Sequence, residues 1–277
     1  MEVACFDLKK RRREAVNEAA ILQSKPMNAL ALHSKPRVFL RQIVWPRTVY
    51  NGSLTGQAKT SLQLTEQRTT MTDEIHSYEP KNGHGLPHDP FNAIVGPRPI
   101  GWISSKGATG QVNLAPYSFF NGFNYIPPII GFSSNGYKDT LRNIEETKSF
   151  VWNLVTRPLA EQMNQTCAPV PPQVSEFDLA GLTPMASTLI DVPRVKESPV
   201  TFECKCTQIH QLMNSAGEKI PTWMVFGEVI AVHIDKRLLK DGIYNTSSAQ
   251  HIVRGGGPGD YFNIGADQLF QMFRPKA

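Results

Sequence analysis

The sequence lacks any apolar run long enough to cross a membrane. Pro, Asn or Gly interrupts its apolar stretches every few residues, whereas a membrane-spanning helix needs about 18 consecutive apolar residues. Hydrophobic residues still make up 40% of the 277 positions, which is enough for the buried core of one or two domains. We therefore expect a soluble cytoplasmic protein with no membrane partner.

Several common catalytic motifs are also missing. The sequence contains no G-x-S-x-G nucleophile elbow, no H-E-x-x-H metal motif and no G-x-G-x-x-G that opens a helix. The glycine-rich RGGGPGDYF includes Pro258, which would disturb a helix, so this stretch indicates a turn before the C-terminal segment. These absences argue against serine hydrolysis, a zinc protease and a Rossmann domain. We expect no catalytic side chain and no metal site.

Cysteine is scarce, with four thiols in the whole chain: Cys5, Cys167, Cys204 and Cys206. The last two are separated by one residue on a predicted strand, so they share a face and are poorly placed to bridge each other. A structural zinc site would need two pairs of C-x-x-C type. We expect small buried thiols in a reducing compartment.

Acidic residues are few in the first quarter of the chain. Residues 1–70 hold twelve Lys or Arg against five Asp or Glu, a net charge of +7, whereas residues 71–277 carry −2. After the basic run KKRRREAVNEAA no apolar period persists, and Met71 opens a stretch that resembles an ordinary protein start. We expect residues 1–75 to be a basic disordered extension, or to precede the true start, and residues 76–277 to form the folded domain.

Two other interpretations of this extension stay open. Its Arg-rich, acid-poor composition resembles a transit peptide. A basic cluster of this kind is also found in nucleic-acid-binding arms, although it is more often a solvated surface. We therefore expect no nucleic-acid partner.

Short strands dominate the remainder of the chain. Asp89 and Pro90 predict a helix N-cap and first turn, and Asp139 or Thr140 predicts the N-cap of a helix over KDTLRNIEETKS. A further short helix begins at Pro158. About six alternating segments predict strands: PIGWISS, QVNLAPYS, PPIIGFSS, FVWNLV, PVTFECKCTQIHQLM and TWMVFGEVIAVHID. This pattern predicts a mainly β protein with short helices, an antiparallel barrel rather than a doubly wound parallel sheet.

Hydroxyl side chains mark the ends of three predicted strands. These are Ser104 with Ser105, Ser118, and Ser133 with Ser134, and Lys138 follows just before a helix start. Hydroxyls, an ammonium group and helix amides together suit a phosphate, and the apolar residues between them suit a flat ring. Ordinary turn and cap chemistry explains the same residues, so both interpretations stay open.

Six segments, in this order, resemble the flavin reductase-like, FMN-binding split-barrel family: PRPIGWISS, NLAPYSFFN, PPIIGFSS, KDTLRNI, FVWNLV and SEFDLAGLTP. The resemblance runs from about Leu86 to Tyr261, and RGGGPGDY departs from it because the family has a shorter glycine turn. It implies a six-stranded antiparallel Greek-key split barrel, a homodimer, and FMN bound without a covalent link.

We expect Trp102, Tyr117, Phe119 and Phe120 to form apolar walls for the ring, with plain barrel core as the alternative for each of them. Arg254, before the glycine turn, is a candidate for the phosphate of a dinucleotide, with a solvated arginine as the alternative. The family resemblance also implies a set of cofactor contacts. The implied FMN contacts are Ser104, Ser105, Asn113, Tyr117, Ser118, Phe119, Ser133, Ser134, Lys138, Asp139 and Thr140.

The expected function is an NAD(P)H-dependent flavin reductase. Hydride would pass from NAD(P)H to N5 of the flavin and the electrons on to a small acceptor or a partner monooxygenase. Because the cofactor carries the chemistry, the missing catalytic motifs do not conflict with this function. Two alternatives stay open, a non-enzymatic FMN carrier or sensor and an enzyme similar to pyridoxamine-phosphate oxidase.

Overall fold

The computed structural model describes residues 75–275. Cys5 and nearly all of the predicted extension over residues 1–75 lie outside the described residues. Within the described part, no helix combines the length and the apolar character that a membrane crossing requires.

The architecture is mainly β, as predicted. In chain order the strands are β1 Arg98–Pro99, β2 Gly101–Lys106, β3 Val112–Tyr117, β4 Phe120–Asn124, β5 Ile129–Asn135, β6 Ser149–Asn153, β7 Pro184–Met185, β8 Arg194–Val195, β9 Val200–Met213, β10 Lys219–Ile234, β11 Leu239–Lys240, β12 Ile243–Tyr244, β13 Ile252–Arg254 and β14 Tyr261–Asn263.

One curled antiparallel sheet of seven strands dominates the fold, in the order β3-β2-β6-β9-β10-β5-β4. The long hairpin β9–β10 forms its centre, and a turn with Gly217 at φ +81 lies between these two strands. Three smaller sheets, β1-β13-β14, β7-β8 and β11-β12, complete the chain. The split-barrel prediction is confirmed, with one strand more than six in the main sheet because Phe120–Asn124 pairs with β5 as an additional edge strand.

Four short α-helices accompany the sheets: α1 Phe91–Ile94, α2 Asp139–Thr147, α3 Ala160–Gln165 and α4 Glu176–Leu179. Single 3-10 turns occupy Pro80–Asn82, Arg157–Leu159, Lys236–Leu238, Ser247–Ala249 and Ala266–Gln268. Helix α2 buries Leu141 and Ile144, which are one turn apart, and ends at Lys148 in the left-handed conformation. This helix packs on β2 and β3, next to the hydroxyl-bearing strand ends.

Neither predicted helix cap occupies the N-cap position in the structure. The N-cap residue of α1 is Pro90, one residue after the predicted Asp89, although Asp89 Oδ1 accepts a hydrogen bond from the Phe91 amide at 2.9 Å. The prediction for α2 is wrong, because Lys138 occupies the N-cap position and no side chain caps the helix. Asp139 instead pairs with Arg142 one turn later, at 2.6 Å.

Edge position explains a proline inside a strand. Pro116 lies within β3, whose free side is the border of the main sheet. A proline cannot donate to a ladder and is therefore tolerated at an edge. The backbone beyond this edge has no strand partner, which leaves room for a ligand beside β3.

The glycine-rich stretch forms the connection between β13 and β14, so its prediction as a turn is confirmed. Gly256 in this loop faces α1, and a Cβ atom placed on it would lie 2.2 Å from Ala93 Cβ and 2.5 Å from Ala93 Cα. Only a residue without a side chain can hold the loop this close to the helix. Gly259, three residues later, has open space around it.

We predict that Gly256→Ala lowers the free energy of unfolding by about 1–3 kcal/mol, the usual cost of overpacking. Gly259→Ala is the matched control, and its effect should stay within about 0.5 kcal/mol because the added methyl group meets no atom. Urea unfolding followed by circular dichroism measures both. Equal effects of the two substitutions would show that the contact between loop and helix does not constrain the fold.

Candidate functional site

A cleft of about 730 Å³ opens beside the free edge of β3. Its wall combines the end of β3 and the residues after it, the end of β5, the start of α2, the segment 166–170 after α3, Glu176 of α4, and the start of the β13–β14 loop. No single element builds this cleft, so its shape depends on contacts between distant parts of the chain.

Asn113 and Tyr117 of β3 form the buried polar floor of the cleft together with Thr140. The two β3 residues are four positions apart, so their side chains lie on the same face of the strand. Asn113 Nδ2 donates a hydrogen bond of 2.8 Å to the Thr140 hydroxyl. All three residues are at most 7% exposed.

The Tyr117 hydroxyl is buried, and among the described residues it has no hydrogen-bond partner. Its ring packs against Phe132 in the core, with 4.6 Å between the ring centroids. Burial raises the pKa of Tyr117 to about 12, while the nearby hydroxyls of Thr140 and Ser134 act in the opposite direction. The phenol is therefore neutral, and although two hydroxyls lie near it, it makes no well-formed hydrogen bond within residues 75–275.

Glu176 contributes a buried carboxyl group to the same cleft. Its Oε2 accepts a hydrogen bond from the Leu114 amide at 3.0 Å and so fastens α4 to β3. Burial raises the pKa of Glu176 above its ordinary value, and the nearby Asp139 adds to this effect.

Lys138 supplies a cation at the mouth of the cleft. It is exposed, has an extended backbone and directly precedes the nine-residue helix α2. Asp139, its neighbour, is engaged by Arg142. No salt bridge of Lys138 occurs within residues 75–275, so its ammonium group is free to bind an anion.

Arg98 also reaches the cleft, but its guanidinium is committed to the protein. Nε donates to the Ser118 carbonyl at 3.0 Å, Nη1 to the carbonyls of Asn92 and, at 2.5 Å, Val95, and Nη2 to that of Gly255 at 3.4 Å. Its Cζ lies 5.0 Å from the centre of the Phe119 ring. Burial lowers the pKa of Arg98, and Arg254 lowers it further.

Arg254 also lines the cleft, at the start of the glycine-rich loop. Nη1 donates to the carbonyls of Gly256 at 3.2 Å and Asp260 at 2.7 Å, and Nη2 to that of Gly257 at 3.0 Å. The ring of Tyr261 lies 5.0 Å from its Cζ. The loop therefore holds this side chain in one orientation.

The cleft also contains an exposed thiol, Cys167. Burial of its sulfur raises the pKa of Cys167, while Arg254 and Lys138 both oppose the shift. Both cations line the same cleft as this thiol. The buried Cys204 and half-buried Cys206, in contrast, lie in β9 as predicted, and burial raises the pKa of each.

The structure brings most of the residues implied by the resemblance to this cleft. The eight that line it are Asn113, Tyr117, Ser118, Phe119, Ser133, Lys138, Asp139 and Thr140. They come from β3, the residues after it, the end of β5 and the start of α2, and they meet because β3 and α2 pack together.

The other three residues implied by the resemblance, Ser104, Ser105 and Ser134, make hydrogen bonds outside the cleft. The Ser104 hydroxyl donates to the Pro193 carbonyl at 2.6 Å, and Ser105 accepts from Asn143 at 3.2 Å. Ser134 donates to the Gly136 carbonyl at 2.9 Å. All three side chains are fully buried and outside the cleft lining, so they support the walls from behind.

The expected apolar walls divide in the same way. Tyr117 and Phe119 line the cleft, whereas Trp102 is fully buried and donates to the Thr166 hydroxyl at 3.0 Å. Phe120 stacks on Trp152 with 5.6 Å between the ring centroids. Trp102 and Phe120 therefore belong to the hydrophobic core, which was the alternative for these aromatic residues.

Sequence reasoning did not single out Arg98, Cys167 or Glu176. Arg98 and Glu176 lie inside two of the segments that carry the family resemblance, PRPIGWISS and SEFDLAGLTP. A charged residue within an otherwise apolar segment is a signal of pairing or function. Cys167 has no comparable signal in the sequence.

Comparison with known proteins agrees with this geometry. Residues 96–252 match the flavin reductase like domain. An uncharacterized protein of Aquifex aeolicus is 37% identical over 173 residues, 59% of this chain and 83% of its own length.

Two crystal structures are similar in fold and sequence. Nitrilotriacetate monooxygenase component B of Bacillus cereus is 27% identical with a TM-score of 0.62, over 78% of this chain and 100% of its own. The 2-nitrobenzoate 2-nitroreductase of Pseudomonas fluorescens is 33% identical with a TM-score of 0.59, over 68% of this chain and 91% of its own. This chain belongs to the flavin reductase-like family of flavin-binding oxidoreductases.

Proposed function

We propose that the protein is an NAD(P)H-dependent flavin reductase that uses FMN in the cleft beside β3. The observation that carries this proposal is the buried hydroxyl of Tyr117, which makes no hydrogen bond within residues 75–275, in a cleft that also presents the exposed Lys138. Residues 76–277 are the proposed functional domain, acting in the cytoplasm as a homodimer.

The chemistry of the cleft fits a flavin mononucleotide. A phosphate group suits Lys138, because cations and the first turn of a helix both favour negative charge. Half-buried Phe119 and the ring of Tyr117 suit the apolar part of the ligand. The donor groups on the floor suit oxygen acceptors of the ring or the polyol chain, and one of them, the Tyr117 hydroxyl, makes no hydrogen bond to another described residue.

The bound flavin would supply the redox chemistry, in which NAD(P)H, a proton and an acceptor become NAD(P)⁺ and the two-electron-reduced acceptor. The protein's own residues bind and orient the two ligands. Glu176, whose pKa burial raises, holds a proton on the cleft floor more readily than an exposed carboxyl group would.

Two classes of acceptor are supported by the relatives. Similarity to a monooxygenase component B favours a partner monooxygenase that receives the electrons. Similarity to a 2-nitrobenzoate nitroreductase favours a small nitroaromatic acid instead. Both use the same proposed first half-reaction, reduction by NAD(P)H.

The decisive experiment is the visible spectrum of the purified full-length protein after loading with FMN. We expect flavin absorption bands that bleach when NADH or NADPH is added without oxygen and that return on admission of air. Bands that persist would instead identify a non-enzymatic flavin carrier. Failure to take up FMN would refute flavin binding altogether.

We predict that Lys138→Ala weakens FMN binding about ten- to a hundredfold, since hydrogen bonds to charged groups are worth ~1.5–3 kcal/mol. Riboflavin, which has no phosphate, should bind the variant and the parent protein equally. Lys196→Ala, an exposed lysine outside the cleft lining, is the control and should change neither affinity. Quenching of flavin fluorescence measures all of these. Equal weakening for FMN and riboflavin would remove Lys138 from the phosphate site.

We predict opposite effects of Tyr117→Phe on stability and on binding. Without ligand, the substitution removes an unsatisfied buried hydroxyl, so the free energy of unfolding should stay constant or rise, by up to about 1–3 kcal/mol. FMN affinity should fall about two- to tenfold, the worth of one neutral hydrogen bond. Tyr125→Phe, at an exposed tyrosine outside the cleft, serves as the control. A loss of stability without ligand would indicate that the hydroxyl serves the fold.

A further inference from the structure

The cations of the cleft differ in how much of their hydrogen-bonding capacity the protein uses. A guanidinium carries five N–H donors in a fixed planar fork. Arg98 directs four hydrogen bonds at backbone carbonyls and is 8% exposed. It has almost no capacity left for a ligand, which makes it a structural residue.

Arg254 is different, because only three of its donors meet protein acceptors. Both N–H groups of Nη1 and one of Nη2 are used, and within residues 75–275 neither the Nε–H nor the second Nη2–H has an acceptor. Nε and Nη2 form one edge of the guanidinium, the edge that binds two oxygens of a phosphate or carboxylate side by side.

The side chain is also held ready for a ligand. Three loop carbonyls hold the two terminal nitrogens, and Tyr261 covers one face with its ring centre 5.0 Å from Cζ. Little side-chain entropy remains to be lost when an anion binds, so a fixed arginine binds more tightly than a mobile one.

Arg254 shares the cleft with a second cation, Lys138. Arg254, Lys138 and Cys167 all line the cleft. The cleft therefore has two cationic positions, one on α2 and one on the β13–β14 loop. If Lys138 takes the single phosphate of FMN, the free edge of Arg254 is left for an oxyanion of a second ligand.

We propose that the Nε–Nη2 edge of Arg254 binds the pyrophosphate of the reduced nicotinamide dinucleotide that enters after the flavin. This inference rests on the proposed function and deepens it. The chain has no glycine-rich loop opening a helix, the usual site for such a pyrophosphate, so the dinucleotide needs anion donors elsewhere.

The test compares Arg254→Gln and Arg254→Lys with the parent protein, all loaded with FMN. Reduction of the flavin is followed with NADH or NADPH and with benzyl dihydronicotinamide, which donates the same hydride but carries no phosphate. We expect Arg254→Gln to raise KM for the dinucleotide about ten- to a hundredfold, with the rate for the benzyl compound unchanged. Arg254→Lys keeps the charge without the fork and should recover only part of the affinity.

A second readout does not depend on turnover. Binding of ADP-ribose, which carries the pyrophosphate but no nicotinamide, is measured by calorimetry, and its protection of Cys167 from alkylation by mass spectrometry. We expect binding and protection in the parent protein and the loss of both in Arg254→Gln. Equal ADP-ribose binding by the two proteins would overturn the proposal.

Three other outcomes would also overturn it. Weaker FMN but unchanged riboflavin binding in Arg254→Gln would assign Arg254 to the flavin phosphate. A defect confined to nitrobenzoate, with nitrobenzene and the dinucleotide unaffected, would assign it to the carboxylate of an acceptor. An equal defect with the benzyl compound, or loss of thermal stability in both variants, would show that Arg254 only supports the loop. A parent protein that neither donor reduces would refute the proposed function instead.

Discussion

The cleft depends on the hydrogen bonds of one buried guanidinium. Arg98 joins carbonyls from the α1 region, from Ser118 after β3 and from Gly255 at the start of the β13–β14 loop. These segments are far apart in sequence, and each supplies part of the cleft wall. A buried charge is costly unless its hydrogen bonds are satisfied. Because four backbone acceptors satisfy this one, the same bonds that stabilise Arg98 also fix the distances across the cleft.

The floor of the cleft shows the opposite situation, in which polar groups are buried without full compensation. The Tyr117 hydroxyl lacks a partner among the described residues, and burial raises the pKa of the Glu176 carboxyl. An unsatisfied buried group costs about 1–3 kcal/mol. A fold selected for stability alone would place Phe at position 117, so the cost indicates that a ligand completes the hydrogen bonds. Stability given up at a binding site is a common compromise in enzymes.

Local patterns in the sequence predicted the strands, because alternation and turn residues are short-range signals. β9 and β10 and the glycine-rich turn agree with that reasoning. The direction of individual hydroxyls could not be predicted in this way. Ser104 and Ser105 are adjacent in β2, but their hydrogen bonds go to Pro193 and Asn143, whose positions depend on the tertiary fold. Likewise, Asp is a residue type that commonly caps helices, but the Asp139 carboxylate forms an ion pair with Arg142, one turn along the helix.

A structural arginine and a ligand-binding arginine differ in how many of their N–H donors already have acceptors in the protein. Arg98 and Arg254 both line the cleft, and only their hydrogen-bond partners in the structure distinguish their roles. Four backbone acceptors surround the buried Arg98, whereas Arg254 has three, and one of its edges is left free. A backbone carbonyl cannot move away to make room for a ligand without disturbing its own strand or loop. The number of carbonyls around each cation therefore determines which one can exchange water for an incoming anion, and this distinguishes a residue that shapes the cleft from one that can use it.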